Sequence, residues 1–468
     1  MAENTNEELV KRIARLVKQN QELEEHIRRL EKDNEKLIRE NDKNKALYEK
    51  SKPEGIKDNS GGEKKEKSLK FNMATVLFAD IHGFSKNIEG MNSSDVMDEL
   101  DEILFEFDAI VARYKIEKIK TIGDTFMCAG GIPVKNITNP VEVVMAAMEM
   151  RGFLEKYELN KRGKEKRIWD LKIGIHTGPV VATISGRKKI TYDIKGDTVN
   201  TASRVEGISD NRTILISVMT YELVKEFFDC EYFGKLPVKY KGDMQLYRVR
   251  GLKPVLSLNG SGMIPNEAFR IKFGLIQFTD IQEVILDKLE KELPAYLFYH
   301  NVKHTVDVVT EVELIGWGEG CTDEEILLLK TAGLFHDAGH TIAYDNHEFY
   351  GTSLAREILP KYNYSPENIE QICSLIMATK LPPKPANLLD SIICDSDLDY
   401  LGRSDFIPVS NTLYEELKAQ NKMGSLNDWN RIQVKFITGH QYFTNTARSL
   451  REVNKQLQIE RIQSLITE

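Results

Sequence analysis

Two groups of side chains in this sequence have the types and spacing to do chemistry. The first contains Asp80, which ends the apolar run of MATVLFADI, and Asp124, in the Gly-Asp turn of KTIGDTFM. Carboxylates at a strand end and a nearby turn reach outward together. Such a pair suits Mg²⁺, a hard ion that takes oxygen ligands and binds alongside a triphosphate. The stretch YDIKGDTVNTASR (192–204) adds Asp193 and, four residues apart, Asn200 and Arg204. On a helix the last two share a face and act on one substrate. Lys120 in KIKTIGD and Lys239 in VKYKGD supply cations.

The second group lies from residue 300 onward, a stretch that holds six of the nine histidines. YHNVKHTVDVV carries His300 and His304, read as one helical face, and LLKTAGLFHDAGH carries His336, Asp337 and His340 at the end of an apolar helix. DNHEFY adds His347 and Glu348, and IICDSDLDYLG adds Asp395 and Asp397. A lone histidine on an apolar face is usually a satisfied core group. An adjacent His-Asp pair with further histidines and a late aspartate is much rarer by chance. Imidazole with carboxylate suits a transition metal or Mg²⁺/Mn²⁺.

The elements that must position these groups follow from periodicity. Between 71 and 253, strand-like runs (MATVLFADI, KIEKIKTIG, TFMCAGG, LKIGIHTG, TILISV) alternate with helical patterns such as SSDVMDELDEILFEFDAIVARY and NPVEVVMAAMEMRGFLEKY. Alternation of this kind predicts an α/β sandwich built on one sheet. Residues 254–268, rich in Pro, Gly and Ser, read as a linker, and 269–468 as an all-α domain. Upstream, Leu9, Leu16, Leu23, Leu30 and Leu37 recur at heptad spacing, with Ile13 and Ile27 or asparagines at the other apolar position. Leucine at d with isoleucine at a favours two parallel strands, and asparagine at a fixes register, so residues 1–50 read as a dimeric coiled coil. The lysine-rich segment 51–70 reads as a flexible tether spanning about 25 Å if random.

Composition excludes several classes. With 41% hydrophobic and 29% charged residues the chain is globular, and its net charge of −8 argues against nonspecific nucleic-acid binding. MAENTNEELV lacks the basic and apolar regions of a signal peptide, and no apolar run reaches the roughly 20 residues of a membrane span. Five scattered cysteines without CxxC spacing argue against disulfides or a zinc ribbon. A cytoplasmic location is the expectation.

In motif order, LFADIHGF, KIKTIGDTFM, GIHTGPV, YDIKGDTVNTASR and VKYKGD make residues 71–253 resemble the class III nucleotidyl cyclase catalytic domain. The resemblance implies a ferredoxin-like sandwich that works as a head-to-tail dimer, here a homodimer. It implies that Asp80, Asp124 and the Ile81 carbonyl hold two Mg²⁺ or Mn²⁺ ions. It also implies that Asn200 orients the ribose, Arg204 stabilises charge on the α-phosphate, and Lys239 holds the terminal phosphates. One protomer would supply the aspartates, and the other Lys120, Asp193, Asn200, Arg204 and Lys239. Lys120 is donor-only and ionised Asp193 acceptor-only. That pair suits adenine, with its ring acceptor beside an amine donor, and opposes guanine, so ATP is the expected substrate and cyclic AMP the product. Lys195 stands where the family often has a bulky residue.

Residues 297–400 resemble the HD superfamily of metal-dependent phosphohydrolases, and the YHNxxHTxDV and HDxxH spacings are similar to those of class I cyclic-nucleotide phosphodiesterases. This resemblance implies His304, His336, Asp337 and Asp397 as ligands for one or two divalent metals (Mn, Fe, Zn or Mg), with Asp395 a rival for the last place. It makes His300 the proton donor to a leaving 3′-oxygen and His340 a partner of bridging water. Cyclic AMP enters as a candidate ligand of this domain only because both domains share a chain. HD-like folds also serve as sensing modules, which is the alternative reading.

Overall fold

The structure is a computed structural model that describes residues 68–82, 93–160, 169–185, 191–238 and 242–467. The expected coiled coil, Lys239 and most of the 51–70 segment lie outside these residues. The last three residues of that segment, Ser68 to Lys70, open the first strand rather than continuing a tether.

That strand, β1 (Ser68–His82), is buried on both faces because apolar side chains occupy both phases of its pleat. Leu77, Ala79 and Ile81 face one core, and Val76 and Phe78 the other. Around it lie α1 (Ser93–Arg113), β2 (Glu117–Ile122), β3 (Thr125–Gly130), α2 (Asn139–Asn160), β4 (Asp170–Ser185), β5 (Thr191–Lys195) and α3 (Asp197–Gly207). The unit is completed by β6 (Thr213–Ser217), α4 (Val218–Val224), β7 (Phe228–Val238) and β8 (Gly242–Leu252). The sheet order is β2-β3-β1-β4-β6-β8-β7, with β5 paired to β4. Among the described strands only the β4–β6 pair is parallel. The helices α1 and α2 bury Val96, Leu100, Ile103 and Phe107, and Val143, Ala147 and Met150, respectively, against one face. Their spacing of three and four residues is the stripe a core-facing helix needs.

Two glycines set the site. Gly123 takes φ +64° in the β2–β3 turn and so lets Asp124 follow at once. At Gly174 of β4, a Cβ would lie 2.0 Å from the backbone nitrogen of Glu206. Only glycine lets α3 rest directly on the sheet there.

Residues 254–268, read as a linker, are folded against the sheet domain. Leu256 is buried, Leu252 N–H donates to the Gly262 carbonyl at 2.7 Å, and Ser257 Oγ accepts from Gly262 N–H at 2.9 Å. Asn266 then caps α5 (Glu267–Glu292), a 26-residue helix. Phe269, near its start, belongs to the core of the sheet domain, whereas Phe278, Ile281, Ile285 and Leu289 belong to the core of the helical domain. The Asp280 carboxylate of this helix accepts from Ile137 N–H (2.8 Å) and Thr138 Oγ–H (3.2 Å), beside the start of α2. The two cores are thus bridged by one rigid element.

After α5 the described residues form helices only: α6 (Val302–Gly318), α7 (Asp323–Phe335), α8 (His347–Ile358) and α9 (Pro366–Ala378). They continue with α10 (Leu388–Asp397), α11 (Phe406–Ala419), α12 (Leu426–Gly439) and α13 (Asn445–Leu465). None of the helices described is long and apolar enough to cross a membrane. All five cysteines are free.

Candidate active sites

On the sheet domain, β1 and the β2–β3 turn bring Asp80 and Asp124 together. Asp80 pairs in register with Thr125, whose hydroxyl donates to its carboxylate at 3.1 Å. Ile81 N–H donates to the Asp124 carbonyl at 3.2 Å, which ties the turn to the strand end. Glu206 joins them as a third acid, although nothing in the sequence singled it out. Burial, reinforced by the charges of Asp80 and Asp124 and opposed by Lys172, pushes its carboxyl up to about 7. The Asp80 and Asp124 carboxylates are hard-oxygen donors of the kind that suit Mg²⁺ or Mn²⁺, although the ligand atoms of Asp80, Asp124 and Glu206 do not all lie within 4.8 Å of one another.

The remaining sequence-predicted residues of this domain fall into two further places. Lys120 on β2 donates to Asp193 Oδ1 on β5 at 2.8 Å, both side chains a little over 40% exposed. Asn200 and Arg204 lie one turn apart on α3, both exposed, and Arg204 has no ion-pair partner among the described residues. No hydrogen bond or ion pair among the described residues links Lys120 or Asp193 to Asp124.

In the helical domain the predicted ligands converge. His304 Nε2 lies 3.1 Å from Asp397 Oδ1, 3.4 Å from Asp337 Oδ2 and 3.3 Å from His336 Nε2. His336 Nε2 lies 3.2 Å from Asp337 and 3.4 Å from Asp397. His336 Nδ1 is 2.8 Å from the Gly333 carbonyl, so its N–H is spent there and Nε2 faces the cluster. Burial works against a charged His336, but the adjacent Asp337 and Asp397 override it and hold this imidazole well above its ordinary range.

The structure gives Asp395 and Asp397 different surroundings. Asp395, fully buried, accepts from Phe443 N–H, Thr444 N–H and the Thr444 hydroxyl at 2.7–3.1 Å, and so anchors the chain entering α13. Asp397, two residues on, points to the histidines.

The geometry corrects one expectation. His300 and His304 do not share a helical face, because α6 begins at Val302 behind its cap Asn301. His300 sits in the turn before the helix, with its ring 4.6 Å from that of His340. Its Nδ1 is 2.5 Å from Glu416 of α11, which also accepts from the Tyr299 and His300 backbone N–H groups at 2.9 and 3.1 Å. Glu416 is fully buried. In the sequence it stands among Glu415 and Lys418 and reads as solvated surface, so reasoning from the sequence missed it.

A second ligand-like group shares Asp337. The ligand atoms of His300, Asp337 and His340 lie within 4.8 Å of one another, and His347 Nε2 is 3.4 Å from Asp337 Oδ1. Burial pushes His340 down to about 3, so its imidazole is neutral. Both its ring nitrogens, and Asp337 Oδ2, are buried without a hydrogen-bond partner among the described residues. Buried orphan nitrogens beside a converging carboxylate are costly unless a cation or water completes them, so the donor set fits a divalent metal.

Comparison with known proteins agrees with this division. Residues 66–251 match the family model described as adenylate and guanylate cyclase catalytic domain, and residues 301–399 that of the HD domain. The chain therefore carries a class III cyclase catalytic domain followed by an HD domain. An adenylate cyclase of Mycobacterium tuberculosis is 31% identical over 217 residues, covering 46% of this chain and 48% of that one. Guanylate cyclase 32E of Drosophila melanogaster is 34% identical over 180 residues, covering 38% and 15%. The chain thus spans less than half the length of these curated relatives. Among solved structures, the guanylate cyclase domain of RhGC from Catenaria anguillulae in complex with GTP is 31% identical, with a TM-score of 0.36, over 40% of this chain and all of that one. The adenylyl cyclase CyaB from P. aeruginosa is 29% identical, with a TM-score of 0.36, over 39% and 95%. Curated relatives named for adenylate and for guanylate cyclisation thus stand at similar identity to this chain.

Proposed function

We propose that this chain is an adenylate cyclase that converts ATP to 3′,5′-cyclic AMP and diphosphate, and that its HD domain is a metal-dependent phosphohydrolase. The observation that carries the choice of ATP is the Lys120–Asp193 pair, a donor-only group against an acceptor-only group on one chain. Together they offer adenine a donor for its ring nitrogen and an acceptor for its amine. Guanine would meet two mismatches, each costing about 1–3 kcal/mol when desolvated.

Divalent ions held by Asp80, Asp124 and the Ile81 carbonyl, and by His304, His336, Asp337 and Asp397, would supply charge neutralisation at the phosphate and acidify the attacking hydroxyl or water. In the cyclase reaction the ribose 3′-oxygen bonds to the α-phosphorus, the bond to the β-phosphate bridging oxygen breaks, and the hydroxyl proton passes to solvent. Asn200 positions the ribose and Arg204 meets the charge growing on the α-phosphate. Catalysis then rests on positioning and electrostatics rather than on a protein base. Lys239 holds the terminal phosphates. Because Arg204 and Lys120 are exposed and unconnected to Asp124, the reading places each complete site between two copies, aspartates from one and the other residues from its partner.

In the HD domain, a water oxygen bonds to phosphorus and releases its proton to solvent, the ester bond breaks, and His300, held by Glu416, gives its proton to the leaving oxygen and is then reprotonated from solvent. Cyclic AMP is the phosphate ester to test first. The test of the base assignment is kcat/KM for ATP against GTP. The reading expects ATP to be favoured roughly 10²- to 10⁴-fold, and equal or better use of GTP would overturn it.

A further inference from the structure

Four arginines line one cavity of about 400 Å³ on the cyclase domain, and this cavity shares no residue with either candidate site. Arg151 comes from α2, Arg212 from the turn before β6, and Arg248 and Arg250 from β8. Glu155, one turn after Arg151 on α2, is the only carboxylate among the described residues of the wall. Like charges gathered around one space repel one another unless something compensates them.

Three of the four are compensated by carboxylates that do not line the cavity. Arg212 Nη2 donates to both Glu158 oxygens at 2.8 and 2.9 Å, with Asp170 3.8 Å from its Nε. Arg248 Nη2 donates to Asp210 at 2.7 Å, and Arg250 Nη2 donates to Glu231. Each of these bonds occupies one terminal nitrogen of a guanidinium that carries five N–H donors.

Arg151 is held differently. It is partly buried, and no carboxylate lies within ion-pair distance of it among the described residues. Its terminal nitrogens reach only the Val249 and Arg250 carbonyls, both at 3.4 Å. Burial lowers this guanidinium from its ordinary value, and the charge of Arg250 offsets part of the attraction of Glu155. Arg248 is also incompletely satisfied. Its Nε is buried without a hydrogen-bond partner among the described residues, and its guanidinium carbon lies 5.2 Å from the centre of the Phe233 ring. Desolvated cations with unspent donors are costly until an anion meets them. Phosphate suits such a wall best, because the planar arginine fork meets its oxygens two at a time. The volume is within the range of small-ligand sites.

We propose that this cavity is a third site on the chain, one that binds a phosphate group, free or carried on a nucleotide, among the guanidiniums of Arg151, Arg212, Arg248 and Arg250.

The test uses the full-length protein in EDTA, so that no divalent ion lends either candidate site affinity for phosphate. Equilibrium dialysis with radiolabelled diphosphate should show saturable binding. Arg151→Gln and Arg250→Gln should each weaken it at least about tenfold. Glu155→Gln removes the repelling carboxylate and should strengthen it several-fold. Arg250 and Glu155 are exposed, so their variants keep the test decisive if Arg151→Gln fails to fold. Arg204→Ala and His336→Ala should leave the affinity in place. No saturable binding at millimolar diphosphate would overturn the proposal. So would an affinity that ignores the Arg250 and Glu155 changes but falls with Arg204→Ala or His336→Ala. Competition by orthophosphate and by AMP separates the two sources, and either order supports the site. AMP acting at lower concentration than orthophosphate marks a nucleotide's phosphate as the ligand, and the reverse marks the free anion.

Discussion

The two candidate active sites on this chain are built in opposite ways. In the HD domain, His304, His336 and Asp337 are at least nine-tenths buried, and their ligand atoms already lie within 4.8 Å of one another. In the cyclase domain, Lys120 and Asp193 are each more than 40% exposed, Asn200 and Arg204 face solvent, and no hydrogen bond or ion pair among the described residues joins the Lys120–Asp193 pair to Asp124. A site assembled within one core can be dry and complete in a single copy. A site whose cations lie open on a surface awaits a second surface to desolvate them, since exposed charges interact weakly in water. Assembly state should therefore govern the first activity and leave the second alone.

The largest effects should come from the metal-side residues and should not cross between domains. Asp124→Ala is expected to lower cyclisation on the order of a thousandfold while leaving HD hydrolysis unchanged, and His336→Ala to do the reverse. Separation of ATP, cyclic AMP and AMP over time reads both activities. A fall in both from either single change would break the comparison. A smaller effect is expected at Glu416, which holds His300 and makes no hydrogen bond to His304, His336, Asp337 or Asp397. Glu416→Gln should reduce hydrolytic kcat about 10- to 100-fold with bound metal unchanged, and loss of metal together with activity would instead mark Glu416 as a folding residue.

The smallest effect concerns the junction. Burial, with Asp280 nearby, pushes the Glu142 carboxyl up to about 7 from its usual 4.5. A group whose pKa is raised on folding favours the folded state when protonated, so its contribution is present in acid and is lost as pH rises from about 4.5 to about 7. Thermal unfolding of the wild type relative to Glu142→Gln should show the wild type losing ground across that window. A difference that does not change with pH would contradict it.

Much of this was legible in the sequence because the informative residues sit where local rules are strong. Asp80 ends an apolar strand, Asp124 follows a glycine whose positive φ makes the turn, and Asn200 and Arg204 take their shared face from helical spacing. The His-Asp pair after an apolar helix was equally plain. What escaped was set by tertiary packing. Glu206 and Glu416 look like surface acids and are buried only because α3 lies on Gly174 and α11 closes over the turn at His300. His300 itself falls before its helix because Asn301 caps it, which shortened the helical pattern by two residues. The 254–268 segment carries linker composition yet is folded, since Ser257 and Asn266 satisfy its backbone and α5 ties it to both cores. Composition records solubility and turn chemistry, not which turns pack.

The contrast between a shared site and a self-contained one can be tested by mixing inactive chains. Asp124→Ala and Arg204→Ala chains, each dead alone, should on mixing in equal amounts and exchanging subunits recover about a quarter of wild-type cyclase activity, because half of the dimers would hold one intact site of two. His336→Ala mixed with Asp397→Ala should recover no hydrolysis. Failure of the first mixture to regain activity after verified exchange, or recovery in the second, would contradict the account.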